Sequence, residues 1–277
     1  VKIATCQFPV SNSISRNAAT IRKLMRQARQ SHADLAHFPE CALTGYAGVD
    51  RESPDDIDWD ELQEQTEEIM RLAAALRLWV VLGSTHRLTS PHKPHNCLYL
   101  IDTQGQLVDR YDKRFCTESD LKHYCPGDHF VTFDINGVRC SLLICFDLRL
   151  PELYRQLLRR RVQCVIQSFY NARQQGPSVH THIMRQTMQA NAANNGFWVS
   201  MANASGYYAP YSSCFIQPDG LIVSQIPRHR TGLIVNTVDT SQTFYDPMAR
   251  FRHGILAGKL SNGPTPNDPR SQQRKTL

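Results

Sequence analysis

Three side chains able to do covalent chemistry follow apolar runs along this chain. Glu40 stands in "HFPECALTGY", Lys113 in "LVDRYDKRF" and Cys145 in "CSLLICFDLRLPELYR". A thiol is a nucleophile once it loses its proton, and a carboxylate can take that proton. A neighbouring ammonium favours the thiolate and the negative charge that develops during attack on a carbonyl. Together the three form a nucleophile, base and cation set that needs no histidine. Each alone has an ordinary reading: a solvated loop glutamate, a surface lysine and a core thiol.

Their placement depends on the surrounding elements. "VKIATCQF", "DLAHF" and "LWVVLGS" read as buried strands, separated by helical patterns over 16–31 and 60–77. In the first helix Ile21, Leu24, Met25 and Ala28 share one face. "NCLYLIDTQGQLVDRYDK" reads as a hairpin turning at Gln104-Gly105, and "HFVTFDINGVRCSLLIC" as one turning at Asn136-Gly137. Pro151 opens a third helix, with Glu152 in its first turn. "QCVIQSF" is a strand, 178–195 a fourth helix, and the chain to about 238 is rich in strands, with a turn at Pro218-Asp219-Gly220. The tail from about 260 has no periodicity and reads as extended or disordered. Strands mixed with helices on both sides predict two sheets covered by helices in one domain. Glu40, Lys113 and Cys145 then fall at strand ends, where open α/β sheets carry their sites. The turn from the Cys145 strand into the Pro151 helix would expose the thiol and aim backbone N–H groups at it.

Composition limits the alternatives. The chain has 277 residues, 41% hydrophobic and 20% charged, as expected for a globular protein with a sizeable core. No apolar run approaches the roughly 18 residues of a membrane span, and no secretory signal is expected at the start. The net charge of +6 is dispersed. Its one tight cluster, Arg159-Arg160-Arg161, falls at a helix C-terminus, where cations complement the dipole, so no nucleic-acid partner is expected. The nine cysteines lack CxxC pairs and Cys/His metal spacing, which suits a reducing cytoplasm and implies no metal.

The three segments, in this order and spacing, resemble the nitrilase superfamily of carbon–nitrogen hydrolases. "FPE" through Gly45-Tyr46 is similar to its general-base motif, "YDKR" to its lysine motif and "ICFDLRLPELYR" to its nucleophile motif. "CPGD" at 125–128, "MQANAANNGFWVSMANASG" at 188–206 and "FIQPDG" add to the resemblance, which covers about residues 1–240. It implies an α/β (α+β) fold, a four-layer αββα sandwich of the carbon–nitrogen hydrolase type over 1–260, with 261–277 as the extended or disordered tail. It also implies a homodimer or higher homo-oligomer; no cofactor is expected, since the nucleophile is a side chain and no ligand cluster appears.

The implied chemistry is hydrolysis of an amide or N-carbamoyl C–N bond of a small molecule through a Cys145 thioester. Glu40 is the base, and Lys113 and the Phe146 backbone N–H are the oxyanion donors. A second carboxylate beside the lysine is expected to be Glu118, eight positions before Pro126, although Asp120, six before it, fits the spacing. Tyr46, Asn171 and Arg173 are expected to contact substrate, with Arg173 on a substrate carboxylate. Arg149 could take that part, but its position suggests an ion pair with Asp147 or Glu152.

Phe-Asp after the cysteine resembles the amidase and carbamoylase branches more than nitrilases, which carry Trp-Glu. Nitrile hydrolysis, acyl transfer to an amine, and an inactive binding protein of the same fold stand as alternatives. A papain-like Cys–His pair using His123, His180 or His182 lacks a supporting Asn or Asp motif.

Overall fold

The computed structural model describes residues 1–171, 175–264 and 266–275. In chain order the elements are β1 (Lys2–Gln7), α1 (Ile14–Gln30), β2 (Leu35–His37), α2 (Trp59–Leu76), β3 (Trp79–His86), β4 (His95–Ile101) and β5 (Leu107–Asp112). There follow β6 (Thr132–Ile135), β7 (Val138–Ile144), α3 (Pro151–Arg159), β8 (Cys164–Phe169), α4 (His180–Asn195) and β9 (Trp198–Asn203). The remainder holds β10 (Cys214–Ile216), β11 (Ile222–Gln225), β12 (Gly232–Thr237), α5 (Ala249–Leu256) and α6 (Pro269–Gln272).

The strands form two six-stranded mixed sheets, ordered β12-β1-β2-β3-β4-β5 and β11-β10-β9-β8-β7-β6. Strand alternation sorts the side chains into layers. On β1 and β3, Ala4, Cys6, Val80 and Leu82 pack against Ile21, Leu24, Met25 and Ala28 of α1 and Ile69 and Ala73 of α2. Ile3 and Val81 face the other way, into the core that holds Leu143, Ile166 and Met201 of the second sheet. The same core takes in Leu153 and Leu157 of α3 and Met184 and Met188 of α4. The molecule is an αββα sandwich.

A buried polar line crosses between the sheets. Thr5 Oγ1 lies 2.6 Å from Ser200 Oγ, which lies 2.8 Å from His37 Nδ1. His37 Nε2 is 2.9 Å from Ser168 Oγ, and Ser168 donates to the Phe38 carbonyl at 2.8 Å. Because the Ser168 proton is committed to Phe38, its oxygen must accept from His37 Nε2–H. Nδ1 of the neutral ring then accepts from Ser200, and Ser200 accepts from Thr5. Burial pushes the His37 pKa down to about 3, consistent with a neutral ring. The line ties β1 and the end of β2 to the end of β8 and the middle of β9.

Two sequence expectations change here. The stretch after β12, left unassigned, contains α5, and the tail read as unstructured contains the short α6. No residue of α5 is fully buried; its apolar residues Phe251, Ile255 and Leu256 are only half-buried, a short and weak period. It is held by polar contacts at its ends: Arg252 donates to Asn194 O and pairs with Asp246, and Arg159 donates to Leu256 O.

Candidate active site

Glu40 sits just beyond β2, in a loop that crosses β3 at very short range. A Cβ on Gly83 would stand 2.0 Å from the Pro39 carbonyl oxygen and 2.9 Å from the Cys41 nitrogen, so only glycine permits the crossing. Leu43 N–H then donates to Gly83 O at 2.9 Å, and Glu40 N–H to Phe169 O at 3.3 Å. These bonds hang the Glu40 loop between the two sheets.

Lys113 follows β5 and is 1% exposed; Glu40 is fully buried. Lys113 Nζ donates to Glu40 Oε1 at 2.9 Å, to Asp120 Oδ2 at 2.8 Å and to Tyr46 OH at 3.2 Å, which occupies all three of its protons. Tyr46 OH in turn donates to Asp120 Oδ1. Asn96 of β4 donates its Nδ2–H to Glu40 Oε1 at 2.7 Å. Both donors to the Glu40 side chain thus converge on one oxygen. The other, Oε2, is buried without a hydrogen-bond partner among the described residues.

The carboxylate beside Lys113 is Asp120, and the expectation of Glu118 is corrected. The local turn explains the choice. Asp120 Oδ2 accepts Thr117 N–H at 2.9 Å while its own N–H donates to Thr117 Oγ1 at 3.2 Å. This reciprocal closure folds Asp120 inward, to 3% exposure, and leaves Glu118 in solvent.

The environment separates the two carboxylates. Burial raises the Asp120 pKa, but Lys113, Tyr46 and the Thr117 N–H outweigh it and hold the group below its usual range. Burial raises Glu40 more than Lys113 and Asn96 lower it, and the Asp120 charge adds to the rise. Lys113 is disfavoured by burial, yet the Glu40 carboxylate and its other neighbours hold its pKa well above the ordinary value. The two acidic groups are thus pushed in opposite directions, Glu40 up and Asp120 down.

Cys145 directly follows β7 of the other sheet. Its φ is +40°, a left-handed conformation that costs a non-glycine residue about 1–3 kcal/mol. The chain passes at once into a short 3₁₀ turn over Cys145–Arg149 and then into α3, whose first residue is Pro151. Asp147 fastens this turn. It accepts Ile144 N–H at 3.0 Å, Tyr111 OH at 2.8 Å and Phe115 N–H at 3.0 Å, tying the Cys145 turn to β5 and the segment after Lys113. Burial raises Asp147 to about 6 against these donors. Among the described residues the sulfur receives one side-chain donor, Asn171 Nδ2 at 3.5 Å. Burial, then the Glu40 charge, push the Cys145 pKa well up, so the resting group is a thiol.

A cavity of about 670 Å³ is lined by Tyr46, Lys113, Asp120, Cys145, Phe146 and Asn171, and also by Arg149, Tyr170, His180 and Met184; Glu40 lies behind Lys113 and is not part of its lining. The Tyr46 ring stacks on Tyr170 at 4.9 Å between centroids. Arg149 makes no ion pair among the described residues, contrary to expectation, because Asp147 is already committed. Burial and the Arg149 charge lower the pKa of His180. Arg173 lies outside the described residues. No described histidine hydrogen-bonds Cys145; the Cys–His contact found is between Cys125 and His95, at 3.3 Å. Asn96 was not singled out in the sequence, and its signal, an amide inside the apolar run "HNCLYLI", is weak.

A fold of this kind with this side-chain set defines a class of hydrolases acting on C–N bonds, and comparison with known proteins agrees. The family model described as carbon-nitrogen hydrolase matches residues 2–244, and the chain belongs to that family. A "hydrolase in agr operon" from Staphylococcus lugdunensis is 30% identical over 217 residues, covering 74% of this chain and 87% of that protein. An "(R)-stereoselective amidase" from Pseudomonas sp. is 27% identical over 242 residues, 83% of this chain and 84% of that protein. A "2-oxoglutaramate amidase" from Bacillus subtilis is 23% identical over 87% of this chain and 92% of its own length. In structure, a variant of the amidase from Nesterenkonia sp. AN1, with acrylamide added to its active-site cysteine, superposes with a TM-score of 0.78 at 19% identity. The match covers 93% of this chain and 99% of that one and shows the same fold. No helix among the described residues is long and apolar enough to cross a membrane.

Proposed function

We propose that the protein hydrolyses the amide bond of a small molecule through a thioester on Cys145, with Glu40 as general base and Lys113 as oxyanion donor. The observation that carries this reading is the free Oε2 of Glu40: a buried carboxylate oxygen with no partner among the described residues, on a group whose other oxygen is doubly held. Because Cys145 rests as a thiol, proton transfer to Oε2 accompanies attack of Sγ on the carbonyl carbon. The carbonyl oxygen takes the charge. The Phe146 N–H, in the first turn of the 3₁₀ segment, has no acceptor within that turn and is free to donate. Lys113 joins by yielding its longest contact, the 3.2 Å one to Tyr46. Collapse breaks the C–N bond as Glu40 returns the proton to the departing nitrogen, releasing ammonia or an amine. Water then gives a proton to Glu40 and its oxygen to the thioester carbon. The acid leaves, and Glu40 reprotonates the thiolate.

Arg149 puts a guanidinium on the cavity wall, while Asp120 is paired with Lys113. This favours amides that carry a carboxylate, as 2-oxoglutaramate does, since guanidinium binds carboxylate in a bidentate fork.

The test is ammonia release from neutral amides, carboxylate-bearing amides, N-carbamoyl amino acids and amines, and nitriles, with Cys145→Ala as blank. Amides should turn over and nitriles should not; ammonia from nitriles alone would overturn the reading. Replacing Arg149 by Ala should raise KM about tenfold or more for carboxylate-bearing amides and leave neutral ones unchanged. Activity should rise with pH through an apparent pKa above the usual carboxylate range, as Glu40 ionises.

A further inference from the structure

We infer that Asn96 is the positioning residue that decides which oxygen of Glu40 serves the nucleophile, an inference that rests on Glu40 acting as the base. Asn96 is fully buried in β4, opposite Thr85 of β3. Its side-chain N–H reaches Glu40 Oε1 at 2.7 Å, and its backbone carbonyl accepts Lys113 N–H at 2.9 Å. One strand residue therefore sets the carboxylate through its side chain and the lysine through its main chain.

The two donors to Glu40 differ in kind. An ammonium offers three rotatable protons and would accept either carboxylate oxygen, and the terminal torsion of glutamate is broad and nearly two-fold. With Lys113 alone, the two oxygens would be interchangeable. The amide N–H of Asn96 points from a fixed place in a paired strand. It selects Oε1 and so keeps Oε2 unbonded. It also favours the ionised carboxylate, against the rise that burial causes.

The other end of the same amide sharpens the point. Asn96 Oδ1 is buried with no hydrogen-bond partner among the described residues. An unpaired buried acceptor lowers stability, and a leucine of similar size would avoid it. Asparagine here works against the fold, so its value must lie in the one bond it makes.

The experiment needs no knowledge of the substrate. Alkylation of Cys145 by iodoacetamide is followed against pH by mass spectrometry in the wild type, Asn96→Leu, Asn96→Asp and Glu40→Gln, with the melting temperature of each. In Asn96→Leu the midpoint of the pH–rate curve should move up by about one unit, slowing alkylation about tenfold below it, while the melting temperature holds or rises. Asn96→Asp keeps the shape, removes the donor and adds a like charge, so its shift should be larger; it decides the matter if the leucine variant does not fold. Raising the pH should restore the rate in both. Unshifted midpoints in both asparagine variants, with Glu40→Gln flattening the profile, would overturn the inference and leave Glu40 as base. A Glu40→Gln profile identical to wild type would instead remove Glu40 from that role.

Discussion

The two sheets hold their shares of the site by unlike means. On the first, Lys113 has every proton engaged, Asp120 both oxygens, and Glu40 one oxygen doubly. On the second, Cys145 is half-buried, sits in a left-handed turn and has one side-chain donor at 3.5 Å. The difference follows from charge. A buried ion is tolerated only with near-complete compensation, and compensation fixes it in place. A thiol bonds weakly and can be buried almost free. The charged half is therefore the more rigidly held, and in the proposed mechanism it is the sulfur of the neutral half that closes on carbon and later releases it.

That contrast can be broken at either end. The largest effect on rate should come from Cys145→Ala: turnover falls by about 10⁴-fold or more, measured as ammonia release, while urea unfolding is nearly unchanged. Lys113→Met strikes the rigid half. It leaves two buried carboxylates uncompensated and should lower stability by about 3–5 kcal/mol in urea as well as abolish activity. If it unfolds no more readily than Cys145→Ala, the contrast fails. Gly83→Ala pushes a methyl into the Pro39 carbonyl and should destabilise by about 1–3 kcal/mol, with slower Cys145 alkylation because the Glu40 loop must lift. The smallest effect should be Asn171→Leu, about threefold on alkylation rate and nothing measurable on stability, as suits one long hydrogen bond.

What the sequence made legible were groups whose placement is decided locally. Glu40, Lys113 and Cys145 each close a strand whose periodicity is plain, and the Pro151 start of α3 fixes the turn after the thiol. Asp120 was harder, because two acids lie two residues apart and only the Thr117 closure says which turns inward. Asn96 and Asp147 were out of reach for a different reason. Their partners, Glu40 and Tyr111, are 56 and 36 residues away, and nothing in the local pattern reports such a distance. The ion pair expected for Arg149 failed for the same cause, since Asp147 was already taken by groups remote in sequence. The helix α5 is eight residues long with no fully buried residue, so its period is too short to read.

The polar line between the sheets has a direction, and direction makes it sensitive to acid. From Thr5 through Ser200, His37 and Ser168 to Phe38, each group passes its hydrogen forward, so the line works in one sense only. A proton added to Nδ1 of His37 meets the proton of Ser200 head-on and breaks the order at its centre. The folded pKa lies near 3, below the value of 6.5 for a free imidazole, so the unfolded chain takes the proton first. Stability present above pH 6.5 is therefore lost as pH falls towards 3, at up to about 1.4 kcal/mol per pH unit. Asp147, raised from 3.8 to about 6, works the opposite way between those values, so the fall from this pair should be steepest below pH 4. The join between the sheets is then an acid-labile seam, and it runs beside the strand end that carries Glu40.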